Sequence, residues 1–484
     1  MVRTRFAPSP TGYLHIGGLR TAIYNYLIAK KTGGDYILRI EDTDQTRYVP
    51  GSVENLVSVL GKCYIQHAEG PMLDENGEIY ETGPYGPYYQ SNRLEIYAKY
   101  AKQLIDEGKA YYCFCSQERL AKLREEQSAQ GLTPKYDSKC SHLSKEEVEA
   151  KLAAGESHVV RMKLPENEDV TFEDGVRGTV TINTKDIDEQ VLMKADGFPT
   201  YHFAVVVDDR HMKITHVIRG EEWLVSTPKH ILLYRYFGWE APSFVHLPTV
   251  LNKNKKKLSK RDGSAAVEDF LQKGYLPEAI VNYITMLGWS MPDGKEIFSL
   301  EEAAAEFDLS RLSKAGAVFD IDKLNWINSH YIKEMEAEKL AGLVKGYLVG
   351  KYDELANDET KLLYFTNCIK DRVSFLEEVV REAEEIFAEP KEVTSEEGLE
   401  AKAMETNPQL YSALVELLEK EEALTPEVMK ATFKTIQKEY KIKGKALYMP
   451  TRIALTGEVH GADIQLIMCI LGKEEVLRRI KAAM

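Results

Sequence analysis

The opening forty residues of the chain alternate in a way that few folds accommodate. A β-prone run from Val2 to Ala7 breaks at Pro8-Ser9-Pro10-Thr11-Gly12. From Ile16, apolar residues recur at Leu19, Ile23, Tyr26 and Leu27, the stripe of a half-buried helix. Gly33-Gly34 stop that helix, and Tyr36-Ile37-Leu38-Arg39-Ile40 reads as a buried strand ending in Glu41-Asp42-Thr43-Asp44. A strand, helix and strand in this order imply a βαβ unit, and hence an α/β fold with helices packed on a parallel sheet.

The rest of the chain divides around that unit. A helix is expected from about Arg93, with Ile96, Tyr97, Tyr100, Leu104 and Ile105 on one side and Gly108 as its stop. From Ala110 to about Asp188, short strands and polar helices suggest an insertion between two halves of the sheet. The sheet is expected to resume with the apolar runs Phe203 to Val207 and Ile214 to Ile218. Ser226-Thr227 suit the N-cap of a helix from Pro228 to Phe237. Beyond about Met335, Glu, Lys, Ala and Leu at helical spacing predict a separate all-helical domain.

A formal net charge of -14 argues against a simple polyanion binder. Two basic clusters stand on that acidic body: Lys253, Lys255, Lys256, Lys257, Lys260 and Arg261, and Lys434, Lys438, Lys441, Lys443 and Lys445. Each suits either nucleic-acid contact or a solvated face. No stretch approaches the roughly 20 apolar residues that span a bilayer, and the N-terminus has no apolar signal core, so the expected location is the cytoplasm, with no membrane partner. Three of the six cysteines cluster as Cys113-Phe114-Cys115 and Cys140-Ser141-His142. In a cytosolic protein these four side chains suit a closed, structural tetrahedral zinc site or free thiols.

Two segments suit phosphate chemistry, although taken singly the first also reads as a Gly-containing turn with a surface histidine and the second as a solvated lysine loop. Pro8, Ser9, Pro10, Thr11 and Gly12 lead to His15-Ile16-Gly17-Gly18 at the start of the first helix. A helix N-terminus offers unpaired N–H groups and a positive dipole end, the glycines let a nucleotide approach the backbone, and His15 can donate to a phosphate oxygen. Far along the chain, Lys257-Leu258-Ser259-Lys260-Arg261 places ammonium groups on a loop able to close over phosphates.

The pair together resembles the two signatures of class I aminoacyl-tRNA synthetases, with Gly18 in place of the second histidine. Arg3 to Gly12, Leu38 to Asp44, Gly86 to Ser91, Asp196 to Tyr201 and Thr215 to Glu222 narrow the resemblance to the glutamyl-tRNA synthetases. Phe319-Asp320, Leu324-Asn325-Trp326, Gly444-Lys445-Ala446-Leu447 and Leu455-Thr456-Gly457 extend it over nearly the whole chain. The resemblance implies a Rossmann-like parallel-sheet catalytic domain with an inserted α+β acceptor-binding domain, followed by an all-α anticodon-binding domain. The corresponding boundaries are 1–109 and 191–250 for the catalytic halves and 110–190 for the insertion with its zinc site. A mobile lysine loop and stem-contact region then covers 251–335, and the helical domain 336–484.

The implied reaction is ATP-dependent activation of L-glutamate to the adenylate, with Mg²⁺ on the phosphates, then transfer to the 3′ end of tRNA(Glu) by a monomer. The alternative is an enzyme that also charges tRNA(Gln). His15 and Lys260 would be catalytic. ATP would be held by Pro8, Ser9, Pro10, Thr11, Gly12, His15, Gly17, Gly18, Lys257, Leu258, Ser259, Lys260 and Arg261. Glutamate would be held by Arg5, Ser9, Glu41, Tyr201 and Arg219. One structural Zn²⁺ would sit on Cys113, Cys115, Cys140 and His142. Arg372 falls where the family places a tRNA-discriminating arginine. Each glutamate contact also suits an ordinary ion pair or a buried hydroxyl.

Overall fold

The computed structural model describes residues 1–258 and 266–484, which form two compact units: Met1–Phe270 with Ile280–Asp320, and Leu271–Ala279 with Ile321–Met484. In the first unit, β1 (Arg3–Phe6) leads through the proline loop into helix α1 (Ile16–Lys31) and β2 (Asp35–Leu38). The two strands pair in parallel, from Arg3 opposite Asp35 to Phe6 opposite Leu38. Ile16, Leu19, Ala22, Ile23 and Leu27 of α1 are buried, and Gly33 ends the helix at a φ of 63°, where a side chain would be strained.

The strands that follow are β3 (Gly70–Leu73), β4 (Ile79–Thr82), β5 (Ala110–Cys113), β6 (Val159–Met162), β7 (Asp169–Asp174), β8 (Gly178–Asn183), β9 (Val191–Met193), β10 (His216–Gly220) and β11 (Ser243–Leu247). β10 and β11 are parallel, and Thr215 ties them to β1: its N–H donates to Arg3 O, and Ser243 N–H donates to Thr215 O, each at 2.9 Å. Antiparallel β5, β6 and β9 make a separate three-stranded sheet beside the polar helices Gln117–Ala129 and Lys145–Ala153. The β7–β8 hairpin does not join that sheet. Asp174 pairs with Phe244, which sets the hairpin on β11.

Phe203 to Val207, expected as a strand, lies inside a helix, Tyr201–His211. Each of these five side chains is at most 1% exposed, so the run shows no polar face and its valines mimic a strand. The helix continues through Asp208 and Asp209 because buried arginines neutralise both carboxylates. The helix expected at Pro228 starts at Thr227, directly after a 3₁₀ turn (Glu221–Ser226), and the Ser226 side chain makes no capping bond.

The second unit is helical. Its longer helices include Ile321–Glu334, Ala337–Leu348, Glu359–Ile369, Asn407–Glu419, Lys445–Thr456 and Lys473–Ala482, and no strand occurs among its described residues. Its core is apolar, with Leu340, Val344, Phe365, Leu414, Phe433 and Ile467 each at most 2% exposed. Among the described residues, no helix is long and apolar enough to cross a membrane.

Candidate active site

The first unit contains a cavity of ≈ 910 Å³ lined by the proline loop, the start of α1 and the C-terminal ends of β1 and β10. Its lining includes Arg5, Ser9, Glu41, Tyr201 and Arg219, together with Pro8, Pro10, Thr11, Gly12, His15, Gly17, Gly18 and Lys257. Open α/β sheets place ligands at this end of their strands. Leu258 donates its N–H to Val250 O at 2.9 Å, whereas Ser259, Lys260 and Arg261 lie outside the described residues.

His15 is the N-cap of α1, and its Nδ1 accepts the Gly18 N–H at 3.0 Å. The neutral ring therefore carries its proton on Nε2, as a phosphate donor requires. A Cβ on Gly17 would lie 3.2 Å from the His15 ring, and one on Gly18 would lie 2.9 Å from Leu14 Cδ1. Glycine at 17 thus leaves room for the imidazole as well as for a ligand. Gly12 has a φ of 143°, which favours glycine at the loop's bend.

Below the loop, buried charges interlock. Arg5 Nε donates to Asp209 Oδ1 at 3.1 Å, and Arg39 Nη1 donates to the same oxygen at 2.8 Å. Arg39 also holds Glu41 Oε1 at 3.1 Å and stands 3.9 Å from Asp208. Burial pushes the Asp209 carboxyl up, but Arg5 and Arg39 outweigh it and hold the group below the usual carboxylate range. Glu41 goes the other way: burial raises it further than Arg39 and Arg5 can lower it. Among the described residues, Glu41 Oε2 has no hydrogen-bond partner.

Arg219, at the end of β10 and 5% exposed, is held differently. Its Nε donates to His246 Nε2 at 3.0 Å, Nη1 to Tyr201 Oη at 3.1 Å, and Nη2 to Thr227 Oγ1 at 3.0 Å. His230 Nδ1 lies 3.2 Å from both terminal nitrogens. No carboxylate pairs with this guanidinium among the described residues. Trp223 stacks on Tyr201, with ring centroids 4.0 Å apart, and closes one side of the cavity.

Cys113, Cys115 and Cys140 bring their sulfurs within 4.8 Å of one another. The fourth group beside them is the Tyr136 hydroxyl, 3.4 Å from both Cys113 Sγ and Cys115 Sγ and bonded to Cys140 N–H at 3.0 Å. His142 is exposed and stands outside this group: the 3₁₀ turn Lys139–His142 buries Cys140 and leaves His142 at the surface. Three thiols and a phenol oxygen in one cluster fit a small tetrahedral divalent cation. In the helical unit, Arg372 donates to Glu382 Oε2 at 2.5 Å and to Glu385 Oε2 at 3.3 Å.

Sequence reasoning missed Asp209, Trp223, Tyr136, His230 and His246. Two acids directly after Phe203-Ala204-Val205-Val206-Val207 were the available signal for Asp209, since carboxylates beside a buried run require cationic partners. His202 reaches His230 at 3.1 Å. Nothing in the spacing marks His230 or His246.

Comparison with known proteins agrees with this geometry. Residues 1–326 match the catalytic domain of the class I tRNA synthetases (E and Q), and residues 339–484 match an anticodon binding domain. A glutamate–tRNA ligase of Clostridioides difficile is 55% identical over 483 residues, covering 99% of this chain and 98% of the relative. One from Finegoldia magna is 51% identical, covering 100% and 99%. A crystal structure of a glutamate tRNA ligase from Elizabethkingia meningosepticum, in complex with its amino acid, superposes with a TM-score of 0.89 at 38% identity, covering 100% and 99%.

Proposed function

The chain belongs to the class I tRNA synthetases that handle glutamate and glutamine, and on that footing we propose that it is a glutamate–tRNA ligase. The observation that carries this reading is the charge pattern of one cavity, where a buried guanidinium without a carboxylate and a carboxylate with an unengaged oxygen line the same space as the nucleotide loop. Glutamate supplies the complements. Its side-chain carboxylate pairs with Arg219, with Arg5 beside it, its ammonium meets Glu41, and Ser9 and Tyr201 add hydrogen bonds.

The α-carboxylate is then left facing the nucleotide. Its oxygen attacks the ATP α-phosphorus, the bond to the bridging oxygen breaks and pyrophosphate leaves. His15, through its Nε2 proton, and the start of α1 stabilise charge on the phosphates. Lys257 lines the cavity and adds positive charge. By family resemblance Lys260 would add charge on the phosphates and Leu258, Ser259 and Arg261 would contact ATP. Mg²⁺, when bound, neutralises phosphate charge. A ribose hydroxyl at the 3′ end of tRNA(Glu) next attacks the adenylate carbonyl, and AMP leaves.

We assign Cys113, Cys115, Cys140 and Tyr136 to one structural Zn²⁺, which would brace the fold around β5. Arg372 is proposed to contact the anticodon, exchanging Glu382 or Glu385 for the nucleic acid. No disulfide joins the six cysteines, which suits the reducing cytoplasm, and we propose that the chain works there as a monomer.

Pyrophosphate exchange with and without tRNA tests the first step. Arg219→Ala is expected to raise the glutamate KM by about 30-fold or more, since breaking a buried charge pair costs roughly 2–5 kcal/mol. Side-by-side charging of tRNA(Glu) and tRNA(Gln) tests the second step: tRNA(Glu) should be preferred, and Arg372→Ala should narrow the preference. Unchanged glutamate KM in Arg219→Ala would remove the reading of the pocket.

A further inference from the structure

Two histidines, His246 and His230, hydrogen-bond to Arg219 and a third, His202, stands behind His230, and their hydrogen bonds fix where the protons sit. Asp174 closes the β7 strand. Its Oδ1 accepts the Val176 and Arg177 N–H groups at 3.0 and 2.9 Å. Its Oδ2 accepts His246 N–H at 3.1 Å and stands 2.6 Å from His246 Nδ1. His246 and Asp174 are fully buried. A carboxylate that already accepts three backbone donors is ionised, so Nδ1 of His246 carries the proton and Nε2 is left as an acceptor. That acceptor receives the Arg219 Nε proton at 3.0 Å.

The other side follows the same logic. His230 Nδ1 lies 3.2 Å from both Nη1 and Nη2 of Arg219, so it accepts, and its proton sits on Nε2. Nε2 donates to His202 Nδ1 at 3.1 Å. All three rings are therefore neutral. Burial drives them the same way, pushing His202 down to about 3 and His230 well below its ordinary value.

We propose that Asp174, His246 and His230 are positioning residues for amino-acid selection: they hold the Arg219 guanidinium in one orientation through neutral acceptors, so that its charge stays available for a substrate carboxylate. A carboxylate in place of either imidazole would hold the guanidinium equally well but would offset much of its charge, as Asp209 partly does for Arg5. Among the described residues, the one partner facing the cavity is Tyr201 Oη, which accepts from Nη1 at 3.1 Å. An incoming carboxylate competes with it for that donor, and the tyrosine can turn its own proton to the carboxylate. The β7–β8 hairpin, through Asp174, thus becomes part of the selection apparatus although none of its residues lines the cavity.

This inference rests on the reading of Arg219 as the glutamate carboxylate's partner, and the test separates the two. Pyrophosphate exchange is measured for Arg219→Ala, His230→Phe, His230→Asn and Asp174→Asn, with glutamate and ATP varied separately. His230→Phe, which removes the acceptor, should raise the glutamate KM at least 10-fold, with kcat and the ATP KM within 3-fold. His230→Asn, which keeps an acceptor at the Nδ1 position, should recover most of that loss. Asp174→Asn should behave like His230→Phe, because an amide placed at either oxygen faces an N–H donor. If Arg219→Ala raises the glutamate KM and His230→Phe does not, the positioning role falls and the pocket reading stands. If Arg219→Ala has no effect, the pocket reading itself falls. Nitrogen-15 NMR of histidine-labelled wild-type enzyme needs no variant to fold. It should show His246 protonated on Nδ1 alone and His230 on Nε2 alone at neutral pH, and a doubly protonated ring or the opposite tautomer at either position overturns the proposal.

Discussion

Replacing Glu41 by glutamine separates binding from stability in this site. One carboxylate oxygen, Oε1, is committed to Arg39 at 3.1 Å, which leaves Oε2 for a substrate ammonium. The amide of Glu41→Gln would keep its oxygen on Arg39 and turn its NH₂ into the cavity, so one charge-assisted hydrogen bond disappears and a donor faces a donor. Such a bond contributes about 1.5–3 kcal/mol. At 1.36 kcal/mol per tenfold, the glutamate KM should rise about 10- to 150-fold. Stability should move the other way. Burial raises the Glu41 carboxyl in the folded state, so folding favours the protonated form. The contribution of this group is complete below its unfolded value and is lost as pH rises through the folded value. A neutral isostere therefore melts no lower than wild type at pH 7. The same shift predicts that the wild-type glutamate KM climbs as pH falls through the raised Glu41 titration, and that Glu41→Gln flattens this limb. Pyrophosphate exchange across pH, together with thermal melts, measures both. A glutamine variant with wild-type KM, or one that keeps the acid limb, would refute the assignment of Oε2 to the ammonium.

Two further expectations follow from close contacts. Gly17→Ala places a methyl group 3.2 Å from the His15 ring and presses on its bond to Gly18. Adenylate formation should slow about 10-fold, less than the roughly 10²- to 10³-fold that follows outright removal of such a donor, because the imidazole is displaced and not lost, while the melting temperature holds or rises because alanine is favoured over glycine in helices by up to about 1 kcal/mol. For the cysteine cluster, elemental analysis of purified protein should give one zinc per chain. Tyr136→Phe and Cys140→Ser should lose it and His142→Ala should keep it, and zinc loss in His142→Ala would restore the histidine as the fourth ligand.

How much of this was legible in the sequence depended on whether a residue's partners lay nearby in the chain. β1, α1 and β2 could be read because their periodicities change at Pro8 and Gly33, and both breaks have a local backbone cause. Arg5, Glu41, Tyr201 and Arg219 could be named, and they line one cavity. What Arg5 and Arg219 touch could not be read, since Asp209 lies 204 residues from Arg5 and His246 lies 27 from Arg219. The Phe203–Val207 run misled because complete burial erases the amphipathic signal. Tyr136 carries no signal in the sequence, because its place beside the three sulfurs depends on a short 3₁₀ turn that buries Cys140 and leaves His142 at the surface.

Three of the buried arginines in the first unit, Arg39, Arg5 and Arg219, receive three different settlements, and the differences sort structure from selection. Arg39 is fully buried among Glu41, Asp208 and Asp209, an excess of negative partners that fixes it in place. Arg5 shares Asp209 with it and keeps only a fraction of its charge for a ligand. Among the described residues Arg219 has neutral acceptors only, an arrangement that a buried cation tolerates poorly unless a counter-ion arrives. Glutamate brings that counter-ion. Glutamine, nearly the same size, brings an amide: its oxygen leaves the cation uncompensated, and its NH₂ must point at groups already arranged to meet an acceptor. Sites that leave buried polar groups unpaired with the wrong substrate can reject it by about 10⁴- to 10⁵-fold, far beyond what the size of a pocket achieves. On the proposed reading, discrimination between the two amino acids resides in the absence, among the described residues, of a carboxylate around Arg219, and installing one there would weaken glutamate binding without filling the cavity.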